Sequence, residues 1–276
     1  MRTFPVIGKI LFLLLAALVL CPLPGRAGPL DWTTGEKIPM QLKRGTFVVL
    51  RYPATLPVSS ACPKALIIFG SGCGGWSYWE ENVCHRLQAD GCEVLGIDFA
   101  LYSQADYDQA TLEADYQTLV QTNLAPYGEM PVPVILGGWS TGAEQAAVAA
   151  SGPHPPIGLA GLLLVSPGNE GGYGSYATNY LYLDAPAAKV FFLTDLAPKL
   201  SHLRVAQWHA SLDPLDSRAW LPLLKTAHRE YDFGEAIHDY RGACPEFLNE
   251  LGDSVSWILN PGTGPASSAK LASQSH

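Results

Sequence analysis

Charge is scarce in this sequence. Asp, Glu, Lys and Arg make up 15% of its 276 residues, and 17 basic side chains face 25 acidic ones, a net charge of −8. No Lys/Arg-rich run occurs, so the clustered cations that phosphate contacts need are missing and nucleic acid is excluded as a partner. No Cys-x-x-Cys pair occurs, which argues against a zinc or thioredoxin-like site, and the pattern calls for no cofactor and no metal. Internal repeats and internal linkers are also lacking. Apolar side chains, by contrast, are plentiful at 48%, enough to bury the core of one large α/β domain.

The first 27 residues read as a secretory signal peptide. Arg2 and Lys9 form a positive n-region, and Ile10 to Leu20 is an unbroken apolar run. Cys21-Pro22-Leu23-Pro24 breaks it, and Gly25-Arg26-Ala27 supplies the small residues of a cleavage site. The run is shorter than the ~20 residues of a membrane-spanning helix, although an uncleaved anchor is a rival reading. Leu20 is too large for the lipobox that Cys21 would require. Export to the periplasm or beyond follows, and with it an oxidising compartment. Five cysteines remain in the mature chain: Cys62, Cys73, Cys84, Cys92 and Cys244. Two disulfides and one thiol are expected, with Cys62–Cys92 and Cys73–Cys84 as candidate pairs. Residues 28–260 form the folded domain, and the Ser/Ala/Gly/Pro-rich stretch 261–276 reads as a disordered tail.

Between these ends strands and helices alternate. Phe47–Tyr52 reads as an outer strand, and Ala65–Phe69, Glu93–Ile97, Val132–Leu136, Leu159–Val165 and Val205–Trp208 read as buried strands. Helical spacing covers Tyr78–Ala89, Leu112–Leu124 (with an acidic face), Ala143–Ala150, Arg218–Thr226 and Glu246–Leu259. Short apolar strands separated by helices make a mainly parallel sheet covered on both faces. Ligands of such sheets bind at the carboxyl ends of the strands, so the chemistry belongs to the loops that follow them.

One of those loops is Gly138-Trp139-Ser140-Thr141-Gly142. It joins the strand Val132–Leu136 to the helix from Ala143, the context in which G-x-S-x-G forms a nucleophile elbow. The turn lifts the Ser140 hydroxyl out of the sheet, and glycine on either side removes side chains that would collide with backbone. Acyl transfer also needs hydrogen-bond donors for the oxyanion. One is the N–H of Thr141. The other comes from Gly70-Ser71-Gly72-Cys73-Gly74-Gly75-Trp76, with Cys73 the candidate donor and Gly72 next. No Gly-Lys-Ser/Thr follows that loop, so it is not a phosphate cradle. Trp76, Trp79 and Trp139 lie beside these loops, and Trp76 and Trp139 are the candidate substrate-binding walls.

Chain order places the acid after the nucleophile and the base last. His238 follows the alternating segment that ends at Ile237 and precedes the last helix, the position of a base. His154, His202, His209, His228 and His276 fit ordinary surface or capping uses better. The acid should follow the strand that ends near Trp208, which leaves Asp213 and Asp216, with Asp195 more distant. Asp213 is nearer the strand end. Asp216 suits an N-cap for a helix at Arg218. Asp213 would orient His238, and His238 would take the proton of Ser140.

The sequence resembles the bacterial virulence protein family VirJ/AcvB. The resemblance is carried by Ile67–Trp76, which is similar to that family's Ser-Gly-Asp-Gly-Gly-Trp loop. It is carried also by Gly91–Tyr102 with the Ala114-Asp115-Tyr116 helix after it, by the Gly138–Gly142 elbow, and by His238-Asp239-Tyr240-Arg241-Gly242. It implies an α/β-hydrolase fold, a periplasmic place, an association with virulence, and Ser140, Asp213 and His238 as the triad. It also implies hydrolysis of aminoacylated phosphatidylglycerol, hence a small-molecule or lipid ester as substrate and peripheral contact with membrane lipid. Cys73 stands where the family has an acidic residue, which departs from a loop suited to a cationic aminoacyl group. The expected activity is that of an exported serine esterase. A thioesterase or peptidase would share the elbow. A reading of another class is an idle α/β-hydrolase fold serving as a periplasmic interaction module linked to virulence or secretion.

Overall fold

A computed structural model describes residues 32–57, 60–178, 185–234, 236–238, 240 and 244–260. The signal segment 1–27, the tail 261–276 and Asp239 lie outside the described residues, as does the side chain of Cys244. The strands are β1 (Glu36–Leu42), β2 (Gly45–Tyr52), β3 (Leu66–Gly70), β4 (Glu93–Ile97), β5 (Val134–Trp139), β6 (Leu159–Val165), β7 (Glu170–Gly172), β8 (Val190–Phe192), β9 (Arg204–Ala210) and β10 (His228–Phe233). The helices are α1 (Tyr78–Ala89), α2 (Phe99–Tyr102), α3 (Gln109–Leu124), α4 (Thr141–Ser151), α5 (Leu193–Leu200) and α6 (Cys244–Leu259). Among the described residues, eight strands make one sheet in the order β1-β2-β4-β3-β5-β6-β9-β10, and β7 pairs with β8 apart from it. The β1–β2 and β2–β4 pairings are antiparallel, and the rest of the large sheet is parallel.

The sheet is buried on both sides because its central strands are apolar at every position, and successive residues point to opposite faces. Leu66 and Ile68 of β3, Val134 and Leu136 of β5, and Leu162 and Leu164 of β6 join one core with α3, α4 and α5. Ile67 and Phe69, Ile135, and Leu163 and Val165 join the other with α1 and α6. The result is three layers, helix–sheet–helix.

Four expectations need correction. Phe47–Tyr52 is not at the edge, because β1 pairs along its whole length. β1 escapes notice in the sequence: Glu36, Lys37, Pro39 and Gln41 leave Met40 and Leu42 as its buried residues, and proline is tolerated on an edge strand. The acids of α3 do not form a solvated face, since Glu113 and Asp115 are buried. Asp115 accepts from Lys43 N–H at 2.6 Å and from Tyr102 Oη at 2.7 Å, fastening the β1–β2 turn to the helix layer. Arg218–Thr226 is not an α-helix but a single 3₁₀ turn at Leu221–Leu223. Pro222 lacks the N–H that a longer helix would use, and Gln207 grips the segment through Ser217 O (2.9 Å) and Trp220 Nε1 (3.0 Å). Finally, Cys62, Cys84 and Cys92 are free thiols, so neither expected pairing is formed. Cys62 packs against one face of the sheet while Cys84 and Cys92 are buried on the other.

Candidate active site

Ser140 sits between β5 and α4 with φ 52° and ψ −119°. A non-glycine residue held there is strained, and surrounding contacts must hold it. Its N–H donates to Val165 O at 2.8 Å on neighbouring β6, and its carbonyl accepts Glu144 N–H at 3.1 Å to open the helix. The flanking glycines are a steric necessity. A Cβ on Gly138 would lie 2.4 Å from the carbonyl carbon of Gly142, and one on Gly142 would lie 2.2 Å from Gly70 O.

The glycine loop after β3 passes directly over this turn. A Cβ on Gly72 would stand 3.6 Å from Ser140 Cβ and 3.2 Å from the Trp139 ring. The loop is held from beneath. Ser71 N–H donates to Ile97 O (2.9 Å), Ser71 Oγ accepts Phe99 N–H (2.9 Å), and the Asp98 carboxylate accepts Trp76 N–H (3.2 Å). Cys73 is half-buried on the loop, and Thr141 is buried at the first position of α4, where its Oγ1 donates to Ala177 O at 3.0 Å.

His238 and Asp213 meet. Nδ1 of the imidazole lies 2.5 Å from Asp213 Oδ2, and both side chains are buried. Asp213 follows β9 in a turn of its own, with its N–H on Ala210 O (2.9 Å) and its Oδ1 accepting Leu215 N–H (2.9 Å). Leu212 N–H donates to Ala236 O at 3.2 Å, joining the Asp213 loop to the His238 loop. Burial opposes charge on the imidazole, but the Asp213 carboxylate, with smaller help from Cys73 and Asp216, more than offsets it, so the His238 pKa is raised above its usual value. Trp139 connects this pair to the serine turn. Its indole N–H donates to His238 O at 3.0 Å, and its ring lies 5.0 Å from the imidazole.

Trp76 and Trp139, the candidate substrate-binding walls, differ in their surroundings. Trp76 is 7% exposed. Its indole N–H donates to Glu81 at 3.0 Å, and its ring fills the space above Gly96. It is a core residue because Gly96 opens the sheet to it. Trp139 is half-buried and occupied with His238. Asp216 caps no helix; its Oδ2 accepts Ala210 N–H (2.7 Å) and the Ser166 hydroxyl (3.0 Å). His209 belongs to that cluster, His202 and His228 stand away from it, and His276 is outside the described residues. The sequence assigns no role to Ser166, and Tyr240 enters it only as part of the segment His238–Gly242. The signal available was position: Ser166 directly follows the buried strand β6, at the same sheet end as Ser140. Among the described residues no three His, Cys, Asp or Glu side chains come together to hold a metal. No described helix is long and apolar enough to cross a membrane.

The strand order, with the serine turn at the carboxyl end of β5, is that of an α/β-hydrolase fold. Solved structures agree: Est1E from Butyrivibrio proteoclasticus (TM-score 0.60, 13% identity, covering 82% of this chain and 99% of that one); esterase 2 from Thermogutta terrifontis (0.61, 16%, 87% and 100%); and a monoglyceride lipase from Saccharomyces cerevisiae (0.59, 11%, 85% and 99%). Identities of this size speak for the fold. No curated protein matches the chain in sequence. The family model of the bacterial virulence protein VirJ matches residues 64–152. That stretch runs from β3 through α4. It contains both the glycine loop and the serine turn but neither Asp213 nor His238.

Proposed function

We propose that this protein is an exported serine hydrolase that cleaves carboxylic esters through an acyl-enzyme, with residues 1–27 removed on export. The observation that carries the reading is the buried Asp213–His238 pair at 2.5 Å, joined through Trp139 to the strained Ser140 turn. A serine held at such a turn and backed by an Asp–His pair is the arrangement acyl transfer requires.

In this mechanism His238 takes the Ser140 hydroxyl proton as the oxygen attacks the ester carbonyl. Asp213 keeps the imidazole in the tautomer with hydrogen on Nδ1 and stabilises the imidazolium that forms. The N–H groups of Thr141 and Cys73 receive the oxyanion. His238 returns the proton to the departing alcohol oxygen, and water, activated by the same base, releases the acid and restores Ser140. The substrate is a small-molecule ester or the ester of a lipid headgroup. The solved structures named esterase and lipase support the class, and the signal-peptide pattern of residues 1–27 supports export. A lipid substrate would bring the chain into peripheral contact with membrane lipid.

Fluorophosphonate labelling of the mature chain, with the modified residue located by mass spectrometry, tests this. Label on Ser140, lost in His238→Ala, is the expected result. A folded chain that takes no label and hydrolyses no p-nitrophenyl ester would overturn it and leave the interaction-module reading.

A further inference from the structure

Asp216 lies three residues beyond Asp213, its side chain fully buried. Its Oδ2 accepts Ala210 N–H at 2.7 Å and the Ser166 hydroxyl at 3.0 Å, and stands 2.8 Å from His209 Nδ1. Ser166 has one hydroxyl proton, and that proton goes to the carboxylate. The Tyr240 phenol, 2.8 Å from Ser166 Oγ, is therefore the donor to it, and the order is fixed as Tyr240 to Ser166 to Asp216.

The residues in this chain are unusual in backbone as well. Ser166 (φ 42°) and Tyr240 (φ 51°) are, with Ser140, the non-glycine residues at positive φ among those described. Such conformations persist where the surroundings over-determine them. Tyr240 N–H donates to Ile237 O at 3.0 Å, closing a turn around His238. One carboxylate oxygen thus gathers the end of β6, the acid loop and the turn that carries His238.

We propose that Asp216, acting through Ser166 and Tyr240, is a positioning residue for the base: it clamps the acid loop and the His238 turn to the end of β6 and so sets the contact between Asp213 and His238. This rests on the reading of Asp213 and His238 as the acid and base of a serine hydrolase.

The test uses the full mature chain and the variants Tyr240→Phe and Asp216→Asn, each measured in three ways. These are p-nitrophenyl acetate turnover, the downfield proton resonance of His238 Nδ1–H, and thermal unfolding. Tyr240→Phe keeps the ring and removes only the hydroxyl, so it remains informative where Asp216→Asn fails to fold. The clamp predicts a loss of about tenfold to a hundredfold in kcat with KM nearly unchanged. It also predicts a shifted or broadened His238 resonance in a chain that still unfolds cooperatively. Wild-type kcat and an unmoved resonance in Tyr240→Phe would overturn it, whatever the melting temperature does. The resonance also separates the two readings. Should the wild-type chain show no Ser140-dependent turnover, the hydrolase reading fails, yet loss of the resonance in Tyr240→Phe still supports the clamp and its persistence overturns it. A wild-type chain with no such resonance has no fixed pair to hold, and that overturns the clamp as well.

Discussion

The indole N–H of Trp139 donates to the carbonyl oxygen of His238 at 3.0 Å. The residue beside the strained serine thereby holds the backbone of the residue that would take its proton. A side chain variable in an elbow motif is tied here to one task.

Trp139→Phe should keep an aromatic ring near the imidazole and leave the His238 carbonyl without its donor. An unpaired buried acceptor costs about 1–3 kcal/mol. Esterase kcat is expected to fall about tenfold, with a melting temperature a few degrees lower. Stopped assays and thermal melts on the same preparation check both.

The pH dependence of turnover should report His238. The base works in its neutral form, and Asp213 raises its pKa, so the acid limb of kcat/KM should fall above the usual histidine value of about 6.5. Asp213→Asn removes the charge that offsets burial. The limb should then move to lower pH while kcat drops by about 10⁴. Asp216→Asn should cost far less. The reverse ranking would hand the acid's part to Asp216.

Glu144 should make the chain less stable as pH rises. Burial pushes its pKa up to about 7 from an ordinary 4.5. Between those values the folded chain holds a proton that the unfolded chain has released, so stability falls as pH climbs. Glu144→Gln should remove that penalty and stabilise the chain at pH 8 by up to about 3 kcal/mol. It should do little at pH 4. Glu80, also pushed up to about 7 by burial, leaves a residual slope in the variant. Urea titrations at the two pH values measure the difference.

Gly142→Ala should be destabilising by about 3 kcal/mol, because its new methyl would sit 2.2 Å from Gly70 O, a backbone atom that cannot turn aside. Gly74→Ala, in the same glycine-rich region of space, meets nothing within 4 Å and should melt as the parent does. Parallel melts of the two variants separate a packing need from mere abundance of glycine.

The central strands were legible in the sequence because they are buried on both faces. Leu159–Val165 reads as an unbroken apolar run and Glu93–Ile97 as a short strand, and both stand at those bounds in the structure. Helix Tyr78–Ala89 was equally plain. Elements that lean on other parts of the chain were not. β1 draws its strandedness from pairing with β2, and α5 has a proline inside it. For the site, spacing and chain order singled out Ser140, Asp213 and His238. Sequence could not show that Trp76 turns into the sheet above Gly96, since that depends on which residue of β4 the fold brings beneath it. Nor could it show Tyr240 and Ser166, far apart in the chain, bonded in series to the Asp216 carboxylate.

Gly70, Gly138 and Gly142 touch main chain to main chain, with no side chain between the loop and the turn. The spacing of the glycine loop from the Ser140 turn is thus an inheritance of peptide geometry, and no rotamer of an intervening side chain can loosen or tighten it. New substrates for such a scaffold would have to be won at its periphery. The exposed Leu212 and Ile237, each next door to Asp213 or His238, are where sequence drift would leave that spacing untouched.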